Sequence, residues 1–205
     1  MSKTTKKFIE SHWLTFAMKG AISVIAGMCL MFANGWDTEI LIHMVGWTMI
    51  GLGIIELLNM AHRSHNQANW GFPLFLGLLE IAIAAILLIM TIPGLGLEQQ
   101  IPFRIAVLSG YVLFASVVTI FIGFSSFSNM TDRFMWVVNG MLGSVLAFVL
   151  FAGSGLTITM HIELFGTYLL INGLTDLFFG VHSHDEKLQQ KAERAAKHNA
   201  KKGKK

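Results

Sequence analysis

Apolar residues gather along this chain in six long stretches, roughly 13 to 33, 40 to 61, 70 to 92, 104 to 124, 134 to 153 and 161 to 181. Short polar or glycine-bearing breaks separate them: Asn34 and Gly35, Asn66 to Asn69, Pro93 with Gly94 and Gly96, Ser125 to Asn129, and Gly153 to Gly155. About twenty residues rising ~1.5 Å each cross a hydrocarbon core ~30 Å thick. Lipid offers no partner to backbone amides, and the stretches are too long for barrel strands, so the pattern predicts helices. The expectation is an all-α polytopic membrane protein with six transmembrane helices. Pro73 falls in the first turn of the third run and Pro102 just ahead of the fourth, where a missing amide is tolerated.

The runs repeat. Trp13 and Gly20, Trp70 and Gly77, and Trp136 and Gly143 share one seven-residue spacing at the start of the odd-numbered runs. In the even-numbered runs, Gly46, Gly53, Glu56 and His62 recur at a constant offset as Gly166, Gly173, Asp176 and His182. The fourth run keeps only Gly110 of that set, with Val117 and Ile120 at the other positions. Three two-helix units follow, about 13–61, 70–124 and 134–181, within a transmembrane domain of 13–184 flanked by an N-terminal segment 1–12 and a basic tail 185–205.

Composition agrees with a membrane solvent: 54% hydrophobic and 13% charged residues, with a mean hydropathy of +0.60. Cys29 is the single cysteine, so no internal disulfide forms. The first run is longer than a signal-peptide core and shares the repeat spacing, so it is expected to be retained. Basic residues set the orientation. With both termini cytoplasmic, the inner side holds Lys3, Lys6, Lys7, Arg63, Arg133 and the eight basic residues from Lys187 to Lys205, against Arg104 alone outside. Trp13, Trp70 and Trp136 then become interface anchors at the inner surface, and Trp36 marks the outer one. The tail reads as a solvated helix continuing the sixth span, or as a polybasic segment drawn to anionic lipid headgroups. Nothing in it points to nucleic acid, because the basic surface lacks aromatic platforms.

These units resemble the HdeD-type family of bacterial inner-membrane proteins over roughly residues 10 to 184, through Trp13/Gly20/Gly27, Trp70/Gly77, Trp136/Gly143, Gly46/Gly53 and Gly166/Gly173. Ala84 and Leu150 depart from it where the other copies would match Gly27. The resemblance implies a bacterial inner-membrane location and an association with acid resistance. It assigns no enzymatic residue, substrate or cofactor.

The glycines carry a role of their own, since small residues let helices in lipid approach closely. Chemistry, if any, falls to the intramembrane charges. Lys19, Glu56 and Asp176 lie five or six residues inside the inner interface, all about 8 to 9 Å deep. A charge at that depth pairs, faces inward, serves a pathway, or, for lysine, snorkels to the headgroups. A direct Lys19–Glu56 pair is expected, with Asp176 within reach. Glu80 sits ten residues into the third run, near the midplane, where no basic residue shares its level. It is either a neutral carboxyl hydrogen-bonded across helices or a proton-titrating one. Asn59, Asn172 and Asn139 are polar companions.

His12, His62, His65, His182 and His184 gather at the inner edge without a cysteine or carboxylate set at ligand spacing, so no metal site is expected. Zincin, hydrolase, Walker and dinucleotide motifs are absent. The sequence therefore leaves a non-enzymatic envelope protein linked to acid or stress resistance, acting through lipid, a second copy or another membrane protein. The alternative is a proton or small-solute channel or transporter using Glu56, Glu80 and Asp176.

Overall fold

The computed structural model describes residues 3–32, 35–63, 71–89, 97–126, 130–153 and 156–202; the side chains of 3–12, 38, 59–63, 71–73, 97–99, 125–126, 131–132 and 183–202 lie outside the description. Within these residues there are six helices and no strand: α1 Lys3–Met31, α2 Thr38–Arg63, α3 Gly71–Ile89, α4 Leu97–Ser126, α5 Met130–Ala152 and α6 Ile158–Lys202. Five of them, α1, α2, α4, α5 and α6, contain segments long and apolar enough to cross a membrane. In α3 the apolar segment is Leu74–Ile89, which is shorter, and residues 90 to 92 of the expected run fall outside the described residues.

Polar residues start and stop the helices as their chemistry dictates. The Asp37 carboxylate accepts from the Glu39 amide at 3.1 Å to cap α2, and the Thr157 hydroxyl accepts from the Met160 amide at 3.3 Å at the start of α6. Gly35 turns the chain out of α1 with a φ of 86°, in the left-handed region where a side chain would be strained. Three helices exceed the apolar runs. α1 begins ten residues before Trp13, and α4 begins at Leu97, so that Pro102 lies inside it rather than ahead of it. α6 continues past its apolar segment, which ends at His182, for about 30 Å to Lys202.

Neighbouring helices run antiparallel, so α1 starts and α6 leaves at the same end, called here the terminal end. The most extensive contacts join α1 with α6, α4 with α5 and α2 with α3, while α1–α2 and α5–α6 touch less and α3–α4 least among helices adjacent in sequence. Glycines make these three seams. A Cβ on Gly20 would meet the Gly173 carbonyl at 2.7 Å, one on Gly27 the Gly166 carbonyl at 2.7 Å, and one on Gly53 the Gly77 carbonyl at 2.8 Å. Gly46 is filled instead by Leu88, and Gly140 and Gly143 receive Ser116 of α4. Each sequence hairpin thus lends one helix to each of two seams.

The interior is divided along its length. The apolar core, including Leu30, Val45, Leu87, Val112, Leu150 and Phe165, occupies the half away from the terminal end. The terminal half holds a smaller apolar cluster of Phe179 with Ile122, Met135 and Trp136. Ile55 is also buried there, beside the polar Glu56, Glu80 and Asn139.

Candidate functional site

Every helix sends a polar side chain toward the middle of the bundle. Lys19 of α1 meets Glu56 of α2 in an ion pair, Nζ to Oε1 at 2.6 Å, the contact expected from their common depth. The ammonium turns inward and does not snorkel. Lys19 also lies 3.9 Å from Glu80 Oε1, which corrects the expectation that no cation shares the level of Glu80. Side-chain direction explains the difference. Helical side chains tilt toward their own N-terminus, so Glu80 on α3 leans toward the terminal end while Glu56 on antiparallel α2 leans away from it. Two carboxyls about four residues apart in depth therefore converge on one flexible lysine.

Glu80 is 1% exposed. Its Oε1 accepts from the Tyr111 hydroxyl of α4 at 2.8 Å, while Oε2 is buried with no hydrogen-bond partner among the described residues. Asp176 of α6 stands within electrostatic reach of Lys19, Glu56 and Glu80 but forms no ion pair with Lys19. Beside them, Asn139 of α5 donates to the Asn172 side chain of α6 at 2.6 Å. Tyr168, one turn before Asn172 on α6, completes the cluster in electrostatic contact with Lys19 and Tyr111. The sequence companions Asn139 and Asn172 are thus brought together. The side chain of Asn59 lies outside the described residues.

Tyr111 and Tyr168 were not singled out by sequence. The signal was there, because these are the chain's two tyrosines, and both sit deep in apolar runs rather than at the interface where tyrosine is favoured. A phenol drawn so deep needs a partner for its hydroxyl.

The expected anchors divide. Trp136 is turned into the bundle, its ring 6.4 Å from that of Phe16 and 5.5 Å from that of Phe179, so it packs between α1, α5 and α6 and does not simply ring the interface. Trp13 is half-buried, and Trp70 lies outside the described residues. Of the inner-edge histidines, His182 stacks on Phe178 with centroids 6.0 Å apart, and the side chains of the others lie outside the description. Among the described residues no group of three or more His, Cys, Asp or Glu is disposed to hold a metal ion.

The three acids do not line the cavity at the opposite end, a space of about 30 Å³ bounded by Leu87, Leu108, Leu150 and Ile162 with Arg104 and His161. The arrangement is a polar cluster in the terminal half, beneath an apolar core, with the Lys19 side chain 22% exposed.

Residues 18–89 match a family described as a short repeat of unknown function (DUF308). The match runs from the middle of α1 to the end of α3 and includes Lys19, Glu56 and Glu80. No curated protein and no solved structure matches the chain.

Proposed function

We infer that this chain is a non-enzymatic, multi-pass protein of the bacterial cytoplasmic membrane that contributes to tolerance of acid or envelope stress. It does so as a helical bundle with a protonatable cluster in its cytoplasmic half. The matched repeat is the one found in HdeD-type membrane proteins, which supports the link to acid resistance. The steep lysine and arginine asymmetry supports N and C termini on the cytoplasmic side. α3 joins the five longer helices as a sixth span, packed against α2 throughout the bilayer.

The seams support three repeated hairpins arranged about a pseudo-threefold axis along the membrane normal. Gly77 of the second unit meets Gly53 of the first, Gly143 of the third meets Ser116 of the second, and Gly20 of the first meets Gly173 of the third. Each contact joins one unit to the next, and α1 against α6 closes the ring. Lipid surrounds the bundle.

The observation that carries the reading is the axial division of the interior. A largely apolar core fills the far half, where the buried polar groups include Gln100, Ser109 and His161, whereas transporters carry broken helices and polar sites open at the midplane. The second reading, conduction of protons or a small solute, draws on the convergence of Glu56 and Glu80 on Lys19. Survival of low pH by the source bacterium tests the first. Deleting the gene lowers survival, wild-type protein restores it, and Glu80→Gln assembles in the membrane yet restores little. Unchanged survival on deletion sinks the acid-tolerance reading.

A further inference from the structure

We propose that the Lys19 cluster is a proton store, taking up and releasing protons through Glu80 and Asp176 while passing none across the bundle. This deepens the function inferred above and rests on it for the bilayer around the cluster.

Charge balance comes first. Lys19 faces three carboxyls: Glu56 at 2.6 Å, Glu80 at 3.9 Å, and Asp176 in its electrostatic field. The groups facing Glu80 from each packed element are Lys19 of α1, Glu56 of α2, Tyr111 of α4, and Tyr168 and Asp176 of α6. Asn139 of α5 bears no charge. One ammonium balances one carboxylate, and with all three acids ionised the cluster holds two uncompensated negative charges inside a bundle bounded by lipid. Such charges are far too costly to stand alone.

The balancing particle is then identified by the space it needs. A metal cation requires several oxygen ligands at coordination distance, and no described group of acids and histidines offers them; the Lys19 ammonium already occupies the point of convergence. A proton needs no such space. Its place on Glu80 is also marked, since Oε1 is taken by the Tyr111 hydroxyl and Oε2 is buried without a partner among the described residues. Exchange at Asp176 and Glu80 runs as a coupled pair around a shared cation. Onward transfer is barred in the far half by Leu30, Met49, Val112 and Phe165, all at most 1% exposed and without a proton acceptor, while the buried polar side chains there are turned to their own helices, Ser109 donating to the Ile105 carbonyl and His161 bonding the Thr157 carbonyl.

The test uses the full-length protein in phosphatidylcholine nanodiscs, titrated without buffer between about pH 5 and 8, the range in which histidine also titrates. The chain's eight histidines are common to all variants, so they cancel in the difference between wild type and Glu80→Gln/Asp176→Asn. Wild type takes up at least one proton per chain more than the double variant, and an infrared carboxylic-acid C=O band of the wild type changes over the same range. Equal uptake by a double variant with unchanged circular dichroism overturns the proposal. Should the double variant fail to fold, the wild-type spectrum decides alone, and a carboxylic-acid band absent or constant throughout overturns it. Uptake without any effect on acid survival would sink the stress reading and leave the store standing.

Discussion

At the scale of single residues, the seam glycines and the lysine carry the sharpest expectations. A methyl on Gly53 has nowhere to go but against the Gly77 carbonyl, at 2.8 Å, whereas one on Gly110 meets nothing within 4 Å. Gly53→Ala is therefore expected to lower stability in detergent by roughly 1 to 3 kcal/mol, and Gly110→Ala to leave it unchanged or raise it by up to about 1 kcal/mol. Equilibrium unfolding of the two variants checks the contrast. Equal effects would mean that α2 and α3 are not in backbone contact. Lys19→Met strands two carboxyls and is expected to cost about 3 to 5 kcal/mol, while Lys19→Met combined with Glu56→Met recovers part of the loss. Additive losses would show that the pair is not coupled. The common depth of Lys19, Glu56 and Asp176 was legible in sequence because helical rise is constant. The reach of Lys19 to Glu80 was not, because it depends on opposite side-chain tilts in antiparallel helices.

Between elements, the same asymmetry recurs. The apolar runs and their breaks foretold six helices, and the glycines foretold close approach. Which glycine faces which could not be read, because loop length brings α1 near α2 without deciding that α1 packs most closely on α6. Helix ends were also hidden. Polar stretches such as Lys3 to His12 and Leu97 to Pro102 continue as helix beyond the apolar runs, where hydropathy carries no signal. Between α5 and α6, beside the Trp136–Phe179 ring contact, runs a hydrogen bond from Asn139 to Asn172 at 2.6 Å. Asn139→Leu is expected to lower stability by about 0.6 to 1.7 kcal/mol, the range for interhelical hydrogen bonds in membranes. A stabilised variant in the same unfolding assay would mean that the asparagines are not paired.

For the whole molecule, the central claim is that a polar terminal half is sealed by an apolar far half. The seal follows from how the core is filled. The even helices present Val45, Val112 and Phe165 to the axis above the cluster, and the odd helices add Leu30, Leu87 and Leu150. Of the three expected acids, Glu56 and Glu80 gather on a lysine with Asp176 in its electrostatic reach, and none lines the far-end cavity. Their residue types alone would equally have served a channel; only packing separates the two. Proton flux in proteoliposomes measures this most directly. Purified wild-type protein, reconstituted at known density with a pH-sensitive dye inside and an imposed pH gradient, is predicted to dissipate the gradient no faster than protein-free vesicles, with or without a membrane potential. Sustained flux that scales with protein density and is lost in Glu80→Gln would contradict the account and establish a conducting path through the bundle.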